Sequence, residues 1–376
     1  MRVLIVTGIF PPDVGGPASY VPAMAAALTQ RGHQVLGVVT LTDSPQDDRG
    51  RPYPVIRIAR HQNRLLRRAR VIWQVFRLAR TADVVFLNGL VLEGIVAAKL
   101  LRRRRVVVKV VGDLIWERAR AAGATTLNLD EFQHARLPLW WRLLRRLQSA
   151  YMTMADLVIT PSRYLEGITR GWGCAPARTL TIYNACDASI DRRPAHPDKD
   201  LVTVGRLVAW KGLGELVELA AVAGWTLDIA GDGPLRAQLE EQIRQLGDAG
   251  RRIRLLGALP KEQIPEAMRS ARIFVLNSSY EGLPHVVLEA KAAGVPVIAT
   301  AAGGTHEIVT NDQDGVLVPV GSTADLKRAV TELLADAGRR RRLVAAAQAQ
   351  VEKLSFDRMV SATEAALLPV PAGARA

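Results

Sequence analysis

The sequence predicts an α/β protein of two domains, and three observations carry that expectation. Short apolar runs of four to six residues recur between helical patterns along the chain, as strand–helix–strand units require. At 376 residues the chain is too long for one compact core and suits two domains of about 180 residues each. Residues 191–200, DRRPAHPDKD, hold two prolines and no apolar periodicity, and read as the linker between them.

In the first domain, residues 3–7 form an apolar strand, and a helix over 18–30 follows it, closed by Gly32 as a C-cap. Between them lies PPDVGGP. Gly15 and Gly16 let the backbone approach a bulky ligand closely, and the helix start after Pro17 offers free N–H groups to a phosphate. The plainer alternative is an ordinary strand-to-helix turn. Residues 35–40 are the second strand, and no G-x-G-x-x-G followed by an acid at that strand's end is found, which argues against a nicotinamide dehydrogenase. After a strand over 55–59, Arg60 to Arg80 hold seven arginines and no acid. Within that stretch a helix over 65–79 places Leu65, Ala69, Ile72, Trp73 and Phe76 on one face, and Arg67, Arg70, Gln74 and Arg77 on another.

Residues 83–87 are a buried strand, and a helix to Leu101 leads through four arginines into the strand 106–111, which ends in Gly112-Asp113. Asp113 is a candidate to bind a hydroxyl group, or to cap the helix that follows. A second basic amphipathic helix spans 138–149, with Leu137, Trp140, Trp141, Leu144 and Leu147 along one stripe and Arg142, Arg145 and Arg146 opposite. Such a helix suits a bilayer headgroup region, or its tryptophans belong to the core. The strand 156–160 follows it.

The second domain opens with the strand 201–204 and GRLVAWKG, which sends Arg206 and Lys211 out of a loop at a strand's C-terminal end, where α/β sheets bind ligands. Two cations there favour a diphosphate. Strands over 227–230, before GDGP, and 253–256, before Gly257 and Leu259, come next. The strand 272–276 then runs through NSSYEGLP into a helix over 285–293, so that Glu281 sits in the loop and Glu289, eight residues on, about one turn inside the helix. Ionised carboxylates accept hydrogen bonds that sugar hydroxyls donate. A solvated pair of glutamates is the plain alternative. His306, in TAAGGTHEI, reads as an accident of substitution, residues 315–319 close the sheet, and 369–376 are expected to be disordered. Of two D-x-D triplets, Asp198-Lys199-Asp200 reads as linker and Asp312-Gln313-Asp314 as a surface turn, so neither is taken as a metal site.

The net charge of +14 is unevenly placed: residues 1–190 hold 27 Lys/Arg against 13 Asp/Glu, and residues 191–376 hold 23 against 23. The basic half implies an anionic partner, whether a phospholipid surface, a pyrophosphate-linked acceptor or nucleic acid, unless it reflects an arginine-rich genome. Nucleic acid is disfavoured, because the arginine runs are read as lacking interleaved exposed aromatics. Two cysteines, Cys174 and Cys186, make no disulfide framework and point to a reducing compartment. Neither a signal-peptide pattern nor an apolar run near ~18 residues is found, so a cytoplasmic or peripheral membrane location is expected.

SYEGLPHVVLEAKAAGVPVIAT resembles the E-x7-E signature of the retaining GT-B glycosyltransferases, specifically glycosyltransferase family 4. PPDVGGP, VTVGRLVAWKG, IAGDGP and NDQDGVLVP follow the family's order, so the resemblance extends to about Leu354. It implies two Rossmann-like domains facing across a cleft: 1–190 on the acceptor side, 201–355 binding the nucleotide-sugar, and 356–376 crossing back as a helix and tail. It further implies that Glu289 bonds the ribose, that Glu281 with the backbone of Gly282 and Leu283 and the adjoining Pro284 holds the sugar, and that Arg206 and Lys211 hold the diphosphate. The loop of Leu259 would lie against the base, and Gly15 and Gly16 near the phosphates and acceptor. Asp113 stands near where many relatives carry histidine, and the resemblance places it to bind an acceptor or a donor hydroxyl if it does not only cap the helix. The implied reaction is hexosyl transfer with retention, without cofactor or metal, from GDP-mannose or a UDP-hexose to a glycan or lipid-linked acceptor. A nucleotide-sugar epimerase or a sugar phosphorylase shares the architecture; the extra acid/base residues of the first and the Schiff-base lysine of the second are not seen.

Overall fold

The computed structural model describes residues 1–13, 15–43, 46–185 and 197–368. The linker expected at 191–200 falls outside these up to residue 196, as do Cys186 and the tail 369–376. The chain divides into two compact units, Met1–Tyr183 with Asp357–Ala376, and Asn184–Phe356.

Unit 1 alternates strands and helices as β1 (Arg2–Thr7), α1 (Gly16–Gln30), β2 (Gln34–Thr42), β3 (Val55–Ala59), α2 (Arg64–Ala79), β4 (Val84–Asn88), α3 (Val91–Gly94, continued by a π-helical turn Ile95–Leu100) and β5 (Arg105–Lys109). It goes on through α4 (Leu114–Ala121), α5 (Leu129–His134), α6 (Leu139–Met152), β6 (Leu157–Thr160), α7 (Arg163–Gly171) and β7 (Thr179–Thr181). The seven strands are parallel in the order β3-β2-β1-β4-β5-β6-β7. Central strands are covered on both faces and read as unbroken apolar runs. Val3 to Val6 and Val106 to Val108 are all fully buried. The strand order reverses between β1 and β4, where a crevice opens at the strands' C-terminal ends.

Unit 2 comprises β8 (Lys199–Val204), α8 (Leu213–Ala223), β9 (Leu227–Ala230), α9 (Arg236–Gln245), β10 (Ile253–Gly257), α10 (Ile264–Arg269), β11 (Ala271–Leu276) and α11 (His285–Ala292). It ends with β12 (Val297–Thr300), β13 (Val316–Val318), α12 (Thr323–Ala335) and α13 (Ala337–Lys353). Its six parallel strands run β10-β9-β8-β11-β12-β13, so the order reverses between β8 and β11. The final helix, α14 (Phe356–Leu367), packs with unit 1. There Glu364 accepts from Arg31 at 2.6 Å and lies 2.6 Å from His33 Nε2, while Arg105 donates to the Ala366 carbonyl at 3.0 Å.

Two local expectations are corrected, and the orientation of two helices is decided. Lys199 and Asp200 belong to β8, not to the linker, because Asp200 receives the Thr226 N–H at 3.0 Å and ties the strand to the start of β9. Asp314 is buried rather than on a surface turn, 2.9 Å from Lys291 Nζ. The core face of α2 is Val71, Val75 and Ala79, and the stripe through Leu65 and Trp73 points outward, 76% and 60% exposed. On α6 the buried residues are Gln148 and Met152, and Trp140 is 65% exposed. The ground given for disfavouring nucleic acid therefore fails, since exposed tryptophans do stand among these arginines.

Candidate functional site

The two loops at the unit 2 switch point, after β8 and after β11, are bound to each other at three places. Ser279 donates its N–H to the Trp210 carbonyl at 2.8 Å, Asn277 Nδ2 donates to the Gly212 carbonyl at 3.0 Å, and Lys211 Nζ lies 2.6 Å from Glu281 Oε1. Gly212 makes this approach feasible. Its φ is +60°, and a Cβ there would stand 2.3 Å from the Asn277 carbonyl oxygen, so only glycine serves. A third loop, after β12, joins through Gly304 N–H donating to the Glu281 carbonyl at 2.9 Å.

These contacts sort the charges. Lys211 and Glu281 are largely buried, with side chains 16% and 11% exposed. Arg206 is exposed, its guanidinium 5.8 Å from the Trp210 ring centroid. Among the described residues no carboxylate pairs with Arg206, so the site holds one neutralised cation and one available one. A small cavity beneath them is lined by Thr203, Gly205, Arg206, Lys211 and Leu276. The arrangement can receive a dianion, which would recruit Lys211 from Glu281 and leave that carboxylate to accept from a hydroxyl.

Helix α11 follows directly. Pro284 is its N-cap and no side chain caps it, so its first backbone N–H groups remain available to an anionic or hydroxylic group. Glu289 reaches back along the helix to His285, whose Nδ1 is 3.4 Å from Glu289 Oε1. Leu283 and Pro284 are buried, and Gly282 and Glu289 are partly accessible. Leu259 lies half-buried beyond β10, and His306 is exposed on the loop after β12. The structure thus brings Arg206, Lys211, Glu281, Gly282, Leu283, Pro284 and Glu289 to adjoining loops and one helix start.

In unit 1, Gly15 precedes α1 with φ +148°, and a Cβ at Gly15 or Gly16 would meet no atom within 4 Å. Backbone conformation selects glycine at the first position; at Gly16 the open space itself leaves room for close approach. Asp13 fixes this loop through Arg60, whose hydrogen bonds hold its carboxyl below the usual carboxylate range.

Of the alternatives at Asp113, the structure shows the helix cap. It caps α4, accepting from the Ile115 and Trp116 N–H groups at 2.9 and 3.2 Å, and Gln133 Nε2 donates to its other oxygen at 2.9 Å. At 1% exposure both oxygens are engaged within unit 1. Asn88, at the unit 1 switch point on β4, had gone unnoticed. It is 4% exposed, its amide atoms have no partner among the described residues, and the next two residues, Gly89 and Leu90, take φ +132° and +50°. A polar residue closing an apolar strand just before glycine was the signal for it. Lys109, which ends β5, is fully buried, and burial pushes its ammonium down to about 7.

Comparison with known proteins is consistent across the chain. The Glycosyltransferase Family 4 model matches residues 14–190 and that of Glycosyl transferases group 1 matches residues 188–350. A GDP-mannose-dependent alpha-mannosyltransferase of Mycobacterium tuberculosis is 29% identical over 333 residues, 85% of this chain and 84% of that protein. Among solved structures, Anabaena Alr3699/HepE in complex with UDP and glucose superposes with a TM-score of 0.76 at 20% identity, covering 98% of this chain and 99% of that one. Sucrose-phosphate synthase from Thermosynechococcus elongatus does so with a TM-score of 0.80 at 21% identity, covering 97% and 98%.

Proposed function

The chain belongs to glycosyltransferase family 4, the group 1 glycosyl transferases of GT-B fold, and from that premise we propose that it moves mannose from GDP-mannose to a glycan or lipid-linked acceptor. It is a retaining hexosyltransferase of a family that needs no metal. The choice of donor is supported by the mannosyltransferase relative, which is similar over most of both chains. A UDP-hexose is the second reading, favoured by the fold's likeness to HepE, which was solved with UDP and glucose. Acceptors of either kind fit polysaccharide or glycolipid synthesis on the cytoplasmic side of a membrane; no helix among the described residues is long and apolar enough to cross one.

The observation that carries the reading is the Lys211–Glu281 pair beside an unpaired Arg206. In the proposed complex Arg206 and Lys211 hold the donor diphosphate, and Glu281 with the Gly282 and Leu283 N–H groups holds the sugar. Glu289 bonds the ribose, Leu259 lies by the base, and Gly15 and Gly16 join the assignment through the resemblance. The acceptor oxygen bonds to the anomeric carbon as the bond to the phosphate oxygen breaks, and the hydroxyl proton passes to that leaving oxygen on the same face. No side chain forms a covalent intermediate. Stabilising the leaving charge is then the main contribution, and it falls to the two cations. Asp113 keeps a structural role as the cap of α4.

A donor screen tests this. GDP at about 100 times its Kd should stabilise the folded chain by about 2.7 kcal/mol, and GDP-mannose should release nucleotide fastest. Stabilisation by UDP and turnover of a UDP-hexose would transfer the assignment to the second donor. Insensitivity to every nucleotide would overturn the site.

A further inference from the structure

The outward faces of α2 and α6 concentrate the exposed apolar surface of unit 1. Right-handed crossovers running one way along a parallel sheet place their helices on the same side. The connections from β3 to β4, β4 to β5 and β5 to β6 all run one way in the strand order, so α2, α3 and α6 form one layer. The packing agrees, since α3 touches both α2 and α6. At about 100° per residue, Leu66 and Trp73 lie opposite the buried Val75 on α2, with Arg70 and Arg77 beside them. On α6, Leu139 and Leu143 lie opposite the buried Gln148, and Arg142 and Arg146 line one edge of that stripe.

Neither helix contains an acidic residue. Arg70 donates to Gln62 and Arg77 to Gln74, and among the described residues neither these two nor Arg142 and Arg146 meet a carboxylate. The face therefore combines exposed tryptophan and leucine with uncompensated positive charge. We propose that this surface seats unit 1 on the headgroup layer of a bilayer rich in anionic phospholipid. Leucine and tryptophan enter the headgroup–acyl boundary while the arginines meet lipid phosphates. A nucleic acid suits the face less well, because most of its apolar area is leucine, which fills acyl space but offers no ring for a base to stack on. A second copy suits it less well too, because a two-fold contact would oppose arginine to arginine with no acid between. The proposal rests on the transferase reading only for its purpose, bringing a lipid-linked acceptor within reach.

Co-sedimentation of the full chain with vesicles tests it, without any donor present, so that a failure here and a failure of nucleotide binding are separate results. The chain should bind vesicles containing phosphatidylglycerol, release at high salt, and bind pure phosphatidylcholine weakly. Each arginine at the surface should change the partition about fivefold, so Arg142→Glu with Arg146→Glu should weaken binding at least 25-fold. Trp73→Ser with Leu143→Ser should weaken it while leaving the salt dependence in place. None of these residues lies in the donor site, so nucleotide-induced stabilisation serves as the check that each variant is folded. Absence of vesicle binding, equal binding to both lipids, or indifference to the charge reversal would overturn the proposal. So would a short RNA binding where vesicles do not, or a dimer in sedimentation equilibrium that the reversal abolishes.

Discussion

Removing Lys211 and Glu281 together should restore the stability that losing Lys211 alone costs and still leave nucleotide binding weakened. The pair is 2.6 Å apart with side chains 16% and 11% exposed, so its attraction at an effective dielectric of 20 is about 6 kcal/mol before desolvation is deducted. Taking away one partner strands a largely buried charge. Lys211→Met should therefore cost about 2–4 kcal/mol, or roughly 5–12 °C in melting temperature for a unit of this size. The double variant, Lys211→Met with Glu281→Gln, leaves a neutral pair and should return to within about 1 kcal/mol of the starting stability. Nucleotide affinity follows a different rule. Both variants lack the ammonium that the proposal gives to the diphosphate, so both should lose about 1.5–3 kcal/mol of binding, roughly 10- to 150-fold in Kd. Thermal unfolding and calorimetric titration with GDP read the two quantities separately. Strictly additive instabilities would mean the pair is not coupled, and recovery of nucleotide affinity in the double variant would remove Lys211 from the diphosphate site.

Arg206→Ala should leave the melting temperature within about 1 °C, because the side chain is exposed and outside any ion pair found, while lowering kcat/KM by at least about 10-fold in a nucleotide-release assay. Asp113→Ala should do the reverse: it removes a helix cap and the Gln133 contact, costing about 2–3 kcal/mol of stability, and kcat measured below the new transition should change little. Lys109 gives a pH signature. Its folded pKa is depressed by burial to about 7 from the ordinary lysine value of 10.5, so the unfolded chain binds the extra proton between those values and stability should rise with pH from about 7 towards 10.5. Lys109→Met should flatten that slope in urea titrations taken across the interval, and an unchanged slope would show that the ammonium remains protonated in the folded chain.

The fold was legible because its strands are buried on both faces. Uninterrupted apolar runs such as those at 3–6, 106–108 and 273–276 suit a central parallel sheet covered on both faces. The short β7 and β12 (Thr179–Thr181 and Val297–Thr300) were not singled out; β7 holds a single apolar residue, Leu180, so no apolar run marks it. Periodicity also leaves open which way the amphipathic helices face. A period of 3.6 shows which residues share a face but not which face meets the core, and both Val71-Val75-Ala79 and Leu65-Ala69-Trp73 satisfy it on α2. Only neighbours in space decide, and α2 has its valines inward.

The same distinction explains the candidate site. Arg206, Lys211, Glu281 and Glu289 were found because each stands in a strand–loop–helix unit, so local sequence already carries them to the C-terminal edge of the sheet. What local sequence cannot give is whether a carboxylate that arrives there is still available. Glu281 and Asp113 have the same local signature, an acid one loop beyond a buried strand and just ahead of a helix. Glu281 lies three residues before its helix cap, Pro284, and faces Lys211, a mobile ammonium that a diphosphate can draw away. Asp113 is itself the cap, and two backbone N–H groups with Gln133 from α5 hold it in place. Gln133 is twenty residues further on, so no spacing near Asp113 announces the contact. A carboxylate paired with a mobile cation remains open to exchange, whereas one saturated by backbone amides is fixed, because releasing it would leave buried donors without partners.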